Sequence, residues 1–127
     1  MDILLIAGLW LDGSAWEPVA SHLEDLGHRA VPVRLPGQGL PPTDATLEDQ
    51  RDAVLAAVDA ASGPVLVVGH SAACSLAWMA ADARPSAVAR VVMIGGFPSA
   101  DGPCAPLVPQ NAISCQTRSW ASDASAC

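Results

Sequence analysis

The fold is decided by residues 65–74, which read Val65-Leu66-Val67-Val68-Gly69-His70-Ser71-Ala72-Ala73-Cys74. The first four residues are aliphatic without polar alternation, and such a run predicts a strand that is covered on both faces of a sheet. The residues from about Ala72 to Ala83 are rich in alanine and stop before Arg84-Pro85, so they predict a helix. Ser71 is therefore expected where a buried strand turns sharply into a helix.

Three more aliphatic runs predict strands: Ile3-Leu4-Leu5-Ile6, Ala30-Val31-Pro32-Val33 and Val91-Val92-Met93-Ile94. Pro32 cannot donate to a strand ladder, so the second run favours the edge of the sheet. The first two segments between runs predict helices that end at Gly27 and at Ser62-Gly63-Pro64. Each opens with a capping-box pattern, Ser14-Ala15-Trp16-Glu17 and Thr46-Leu47-Glu48-Asp49. This alternation predicts an α/β fold with a doubly wound, mostly parallel sheet and helices on both faces, in three αβα layers.

The composition is that of a single folded domain. Of the 127 residues, 51% are hydrophobic and 15% charged, which argues against a disordered chain. Thirteen acidic residues against six arginines give a net charge of −7, so no nucleic-acid partner is expected. The longest apolar stretch, Val65 to Ala81, is interrupted by Gly69-His70-Ser71, so no membrane span is expected either.

The first residues and the cysteines suggest a compartment. The run up to Ile6 has no basic segment and is too short for a signal peptide, so a cytoplasmic location is expected. Cys104, Cys115 and Cys127 have spacings that match no zinc pattern, so reduced thiols and no metal are expected. Cys74 lies in the alanine-rich helix, where a small buried packing residue is expected.

The regular pattern stops near Gly102. Residues 103–127 scatter a few aliphatic residues among prolines, serines and three cysteines, with no period of 2 or 3.6 residues. We therefore predict a folded region over residues 1–102 and an irregular or disordered tail over residues 103–127. The abrupt change suggests that the chain left its ancestral reading frame near Gly102. In that case the downstream DNA would encode further strands and a histidine-containing loop in another frame.

The segment Gly69-His70-Ser71-Ala72-Ala73 has the pattern of a nucleophile elbow, in which a serine sits on a strained strand-to-helix turn. The residues two before and two after the serine must be small, and Gly69 and Ala73 are. Ser71 would project from the carboxyl end of the sheet, and the helix N-terminus beside it favours developing negative charge. The first strand ends in Ala7-Gly8-Leu9-Trp10, a turn that can approach the serine. The backbone N–H groups of Leu9 and Ala72 are then the candidate oxyanion donors.

Four turns carry a resemblance to a known family: Gly8-Leu9-Trp10, Leu35-Pro36-Gly37-Gln38-Gly39, Gly69-His70-Ser71-Ala72-Ala73 and Ile94-Gly95-Gly96-Phe97. In order and spacing they resemble the α/β-hydrolase family over residues 1 to about 102. Two departures are Ala7 and Gln38, each at a place where the family commonly has histidine. The resemblance implies a serine hydrolase that cleaves esters or related acyl bonds of small-molecule substrates without a cofactor. It assigns Ser71 as nucleophile and the N–H groups of Leu9 and Ala72 as oxyanion donors.

The resemblance also implies a catalytic acid and a histidine base that follow later strands. The histidines of this chain are His22, His28 and His70, and none is expected to serve as the base. Asp101 follows the fourth run, where some family members carry the acid, and is a weak candidate for that role. An inactive fragment of a hydrolase is therefore expected. The alternative is a non-catalytic member of the same fold that binds small apolar molecules.

Two further expectations concern surfaces. Trp10, Trp16 and Trp78 are predicted to be core or pocket walls, with Trp10 lining an apolar acyl pocket. In the family's strand order the fourth run is flanked by further strands. Its edge, Val91 to Ile94, is therefore expected to be unpaired and to promote self-association unless the tail or a second chain covers it.

Overall fold

The computed structural model describes residues 1–38, 44–97 and 116–119. Its elements, in chain order, are β1 (Asp2–Ile6), a 3-10 helix (Gly13–Trp16), α1 (Glu17–Asp25), β2 (Arg29–Pro32), α2 (Leu47–Asp59), β3 (Val65–His70), α3 (Ala73–Ala83), β4 (Val88–Ile94) and β5 (Gln116–Ser119). Among these residues no helix has the length and apolar character needed to cross a membrane.

The strands form one sheet in the order β2-β1-β3-β4-β5, in which the first four strands are parallel. Asp2 of β1 pairs with Arg29 on one side and Val65 on the other, so these strands start at the same edge. Their carboxyl ends therefore meet at the opposite edge, where ligand sites of open α/β sheets form. The predicted α/β fold is confirmed, and β2, which contains Pro32, is the edge strand as expected.

Alternate residues of β1 serve the two faces of the sheet. Leu4 and Ile6 belong to a core that also contains Val54 of α2 and Ala77 of α3. Ile3 and Leu5 belong to a second core, which Ala20 of α1 joins. Because successive side chains of a strand point to opposite faces, the two cores place α2 and α3 on one side and α1 on the other. This is the three-layer αβα arrangement.

The two predicted capping boxes have different outcomes. At α2 the Oγ1 of Thr46 accepts from Asp49 N–H at 3.1 Å and the Asp49 carboxylate accepts from Thr46 N–H at 2.8 Å, so that box is confirmed. The box at Ser14 is wrong. Asp12 accepts from Ser14 N–H at 2.8 Å and opens the 3-10 helix instead, and α1 begins only at Glu17. Asp12, two residues before Ser14, accepts from the Ser14 N–H, because a carboxylate is a strong N-cap acceptor.

The tail does not remain irregular throughout. The segment Gln116–Ser119 forms β5, which pairs antiparallel with β4 from Arg90 to Met93. The prediction of an irregular tail is therefore wrong at these four residues. The β4 edge was expected to be unpaired unless the tail or a second chain covers it, and from Arg90 to Met93 the tail covers it. A strand edge presents free N–H and C=O groups that any nearby extended segment can satisfy. Cys104, Cys115 and Cys127 lie outside the described residues.

Candidate active site

Ser71 is the residue between β3 and α3, and its backbone has φ = 54°. The left-handed region costs an L-residue about 1–2 kcal/mol, and such strain is concentrated at functional sites. Two hydrogen bonds hold the strained peptide: Ser71 N–H donates to Ile94 O at 2.8 Å, and Cys74 N–H donates to Ser71 O at 3.1 Å. The sharp strand-to-helix turn expected from the sequence is therefore present.

Two glycines let the chain pack closely around Ser71. A Cβ on Gly69 would lie 2.7 Å from Ala73 O, and a Cβ on Gly96 would collide with Ser71 O. The requirement for a small residue at position 69 follows from the elbow pattern. The requirement for glycine at position 96 was not predicted, because it depends on β4 lying beside β3. That pairing places the residues that follow β4 against the elbow.

The turn after β1 also reaches the elbow. A Cβ on Gly8 would lie 2.9 Å from Ser71 Cβ and 2.8 Å from His70 O, so only glycine allows this contact. The turn is closed by Leu11 N–H, which donates to Gly8 O at 3.2 Å. Trp10 has φ = 69°, as the third residue of a type II turn requires, although a bulky side chain rarely adopts that conformation. The structure thus brings together the turn after β1 and the elbow at Ser71, which the sequence analysis predicted to form one site.

The two candidate oxyanion donors are unpaired. Over residues 1–38 and 44–97, neither Leu9 N–H nor Ala72 N–H donates to a backbone acceptor. The Gly8 carbonyl points into its turn toward Leu11, and peptide planarity directs the Leu9 N–H the opposite way, out of the turn. Ala72 is the N-cap of α3, so its N–H lies at the positive end of that helix.

None of the three histidines hydrogen-bonds to Ser71 in the part of the chain that is described. The His70 ring packs edge-on against Trp16, with ring centroids 6.4 Å apart and planes at 88°. His22 is exposed on α1. His28 immediately precedes β2 at the amino edge of the sheet, one strand length or about 20 Å from the Ser71 edge. Asp101, the candidate acid, lies outside the described residues.

The tryptophans differ in burial. Trp16 and Trp78 are half-buried against the two cores, as expected. Trp10 is 96% exposed, so the prediction that it lines a core or pocket wall is wrong for this chain. The left-handed backbone at Trp10 turns its side chain outward. Leu9 and Phe97, which follow Gly8 and Gly96 in the chain, are each 57% exposed.

Cys74 packs against the buried side of the elbow. It is fully buried, and its Sγ lies 3.2 Å from Gly69 O. Burial raises the pKa of the Cys74 thiol, so the neutral form predominates around neutral pH. The predicted packing role of Cys74 agrees with this environment.

Sequence reasoning did not identify a contribution from Gln38. Its Nε2 donates to Ala7 O at 3.0 Å, across 31 positions of the chain. The substitution of glutamine for the common histidine was visible in the sequence, but its partner was not.

Comparisons with known proteins agree with this geometry. A family model described as "Alpha/beta hydrolase family" matches residues 3–125, which extends past residue 102, where the resemblance was expected to end. Lipase LipV of Mycobacterium tuberculosis is 34% identical over 106 residues, which cover 79% of this chain and 39% of the lipase.

Solved structures show the same fold. An extracellular alpha/beta-hydrolase from a Paenibacillus species superposes with a TM-score of 0.72 at 25% identity, covering 80% of this chain and 43% of that protein. A pyrethroid hydrolase from Sphingobium faniae JZ-2 superposes with a TM-score of 0.65 at 28% identity, covering 76% and 40%. The chain thus spans about two fifths of the length of these relatives.

Proposed function

Because the chain belongs to the alpha/beta hydrolase family, we propose that it is part of a serine hydrolase in which Ser71 is the nucleophile. The observation that carries this proposal is the strained Ser71 backbone at φ = 54°, with the Gly8 turn packed against its Cβ. Strain of this kind persists only where the surrounding structure imposes it. The substrate class we propose is a small-molecule ester or a related acyl compound.

In the proposed reaction, Ser71 Oγ attacks the carbonyl carbon, and the C=O bond becomes a C–O⁻ bond in a tetrahedral intermediate. A histidine other than His22, His28 and His70 takes the Oγ proton and returns it to the departing alcohol. Water then hydrolyses the acyl-serine by the same route. The whole reaction needs no cofactor.

The N–H groups of Leu9 and Ala72 are proposed to hold the oxyanion. Their lack of a backbone acceptor supports this role, because each can donate without first breaking a bond. Donors that are already aimed at a developing charge lose no reorganisation energy when it forms, and removal of one such donor costs about 2.7–4 kcal/mol of transition-state stabilisation.

The residues next to the two glycines that contact Ser71 favour an apolar acyl group. Leu9 follows Gly8 and Phe97 follows Gly96; both side chains are exposed, and neither carries a charge that would select an ionic substrate. Among the relatives are a lipase and a pyrethroid hydrolase, and their names are consistent with apolar esters.

A second candidate function is a non-catalytic member that only binds small apolar molecules. The observation that favours it is that no histidine side chain in the described residues hydrogen-bonds to Ser71, so the serine has no base there.

A complemented chain distinguishes the two functions. Residues 1–97 would be joined to the later part of lipase LipV, and the product labelled with a fluorophosphonate. We expect labelling that Ser71→Ala abolishes and that Ser75→Ala, a serine four positions along in α3, retains. A folded chimera that stays unlabelled but takes up apolar ligands would establish the binding function instead.

A further inference from the structure

We propose that Gln38 is a positioning residue for the oxyanion turn: its side-chain amide fixes the Ala7 carbonyl and so sets the direction of the Leu9 N–H. This inference rests on the proposed function, since it deepens the role of that turn. Gln38 itself touches no reacting atom and acts only through the backbone of residues 7–9.

The contact joins two turns at the same edge of the sheet. Gln38 follows β2 and its Nε2 donates to the carbonyl of Ala7, the residue after β1, at 3.0 Å. Ala7 is 2% exposed and has no polar side chain that could hold the turn in another way. The Gln38 amide therefore supplies a restraint that the β1 turn lacks.

The orientation of the amide is dictated by Ala7. If the amide were reversed, Oε1 would face another carbonyl oxygen, which is repulsive. In the observed orientation Oε1 is buried and accepts no hydrogen bond from the residues that the structure describes. A buried polar atom without a partner is rare and calls for an explanation. Within the described residues, the side-chain amide of Gln38 thus makes its hydrogen bond to Ala7 O and leaves Oε1 without a partner.

The turn needs this restraint because of Gly8. Only glycine fits against Ser71 Cβ, and glycine is the most flexible residue, so the close approach brings backbone freedom with it. Two hydrogen bonds limit that freedom. Gln38 holds the peptide before Gly8, and Leu11 N–H holds the peptide after it, which is the one that carries the Leu9 N–H.

Gln38 is itself anchored. Its N–H donates to Leu35 O at 3.4 Å across a turn in which Gly37 has φ = 80°. Gln50 of α2 donates from Nε2 to Pro36 O at 3.0 Å and ties the same turn to that helix. The turn at residues 35–38 is thus held by its own backbone bond to Leu35 O, and separately by the contact from α2 to Pro36 O.

The test uses the full 127-residue chain and amide hydrogen exchange. Gln38→Met keeps the side-chain length and removes the donor, and we expect the Leu11 N–H, which closes the turn, to exchange about fivefold faster, as loss of one neutral hydrogen bond predicts. Gln38→Glu should act in the same direction, because it places an acceptor against Ala7 O. Gln38→His restores a ring N–H donor at similar reach and should restore slow exchange.

The matched control is Gln50→Met, which removes a bond of the same type and length from the same turn but not from Ala7. The Leu11 N–H should exchange at its original rate in that variant, and the Val67 N–H in β3 should be unchanged in all of them. A general loss of stability would instead accelerate exchange at Val67 as well. Unchanged Leu11 exchange in both Gln38→Met and Gln38→Glu would overturn the inference.

A second arm separates this inference from the proposed function. At alkaline pH, where solvent hydroxide can take the Oγ proton, phenylboronic acid forms an Oγ–B bond with an accessible serine. The Oγ–H bond breaks, the proton passes to solvent, and boron becomes a tetrahedral anion. We expect the Leu9 and Ala72 amide resonances of the wild-type chain to shift on titration, and those of Ser71→Ala to stay in place. In Gln38→Met the Leu9 shift should be reduced about twofold or more, and the Ala72 shift kept.

The outcomes of the second arm are distinct. If the wild-type chain shows no shift that depends on Ser71, the oxyanion role fails, while the exchange data still decide whether Gln38 holds the turn. If the shift occurs and Gln38→Met leaves the Leu9 response intact, the positioning role fails and the proposed function stands.

Discussion

At the residue scale, the backbone conformation of Ser71 lowers the stability of the fold, and the glycines around it allow the close packing that holds the serine in place. Ser71 has a backbone conformation that favours glycine, and Gly8, Gly69 and Gly96 stand where no Cβ fits. The result is a hydroxyl at the carboxyl edge of the sheet, next to the N–H groups of Leu9 and Ala72, which have no backbone acceptor in the part of the chain that the structure describes. This arrangement makes opposite predictions for substitutions at the serine and at the glycines.

Replacing Ser71 with glycine should stabilise the fold. Relief of left-handed strain outweighs the added freedom of the unfolded chain, so Ser71→Gly should raise the free energy of unfolding by about 0.5–1 kcal/mol. Ser75→Gly, four positions along in α3, should lower it by about 0.5 kcal/mol because its backbone is helical. Urea unfolding of both variants measures the difference. Equal effects at the two serines would show that Ser71 is not strained.

Adding a methyl group at Gly8 should do the opposite. The Cβ of Gly8→Ala would press on Ser71 Cβ and His70 O, and overpacking of this kind costs about 1–3 kcal/mol. Gly63→Ala is the matched control, because a Cβ there meets nothing within 4 Å. Thermal unfolding of the pair tests this contact, and a Gly8→Ala chain as stable as Gly63→Ala would contradict it.

Sequence patterns revealed part of the site and missed the rest for a physical reason. Ser71 and Gly69 lie within one strand-turn-helix unit, so their requirements are local and can be read from spacing. Gly96 and Gln38 act on that unit from β4 and from the turn after β2. Their roles depend on which strands become neighbours and on a hydrogen bond between residues 31 positions apart.

At the element scale, the two predicted capping boxes show how local competition decides a boundary. Thr46 and Asp49 form the box at α2, whereas Asp12 displaces Ser14 at the other. Both outcomes follow from the same preference of side-chain oxygens for free N–H groups. The Ser14 pattern alone does not predict this boundary, because Asp12, two residues upstream, accepts from the Ser14 N–H.

The α2 box should make stability depend on pH. Hydrogen bonds from Thr46 lower the pKa of Asp49 from its ordinary value of 3.8, so the charged form is favoured in the folded state. A carboxylate whose pKa is lower in the folded state stabilises the fold at pH values above its unfolded pKa. This stabilisation is lost as the pH falls through the folded-state pKa. The stability gap between wild type and Asp49→Ala should thus be full at pH 7 and close below pH 3.8.

Two comparisons complete the test of the box. Thr46→Ala should lower the free energy of unfolding by about 1 kcal/mol at pH 7. Glu48→Ala removes the same charge from the same turn but leaves the box intact, and its gap should be smaller. If Glu48→Ala and Asp49→Ala behave alike at every pH, the effect belongs to the helix dipole and not to the box.

β5 should protect the sheet from self-association. Its backbone pairs with β4 from Arg90 to Met93, so the edge that the parallel strands leave open is covered. A chain shortened to residues 1–102 should expose that edge and associate, whereas the full chain should stay monodisperse at the same concentration. Light scattering of both chains measures this. A monodisperse short chain would show that β4 does not need its partner.

At the scale of the whole molecule, the fold was predictable because it is built from repeated local units. Aliphatic runs without alternation predicted buried parallel strands, the segments between them predicted helices, and Pro32 favoured the edge position of the second strand. The antiparallel β5 was not predictable, since a four-residue strand in an aperiodic tail is defined by the edge that it covers and not by its own pattern.

The positions of the histidines in the fold limit the reactivity that Ser71 can have in this chain. A serine hydroxyl is a weak nucleophile at neutral pH unless a neighbouring base removes its proton. The His70 ring packs against Trp16 and His28 lies at the opposite edge of the sheet, so neither is placed to do this. Free N–H donors alone can give residual catalysis of about 10³–10⁴ over water, but only in an otherwise intact site.

We therefore expect the purified 127-residue chain to hydrolyse short p-nitrophenyl esters at a rate that does not depend on Ser71. The comparison is between this chain and Ser71→Ala at pH 7–8, with Ser75→Ala as the control for loss of a hydroxyl from α3. All three rates should equal the background reaction. A faster rate that Ser71→Ala alone removes would mean that His22, His28, His70 or a second chain supplies a base. In that case the geometry of those histidines would need a different functional interpretation.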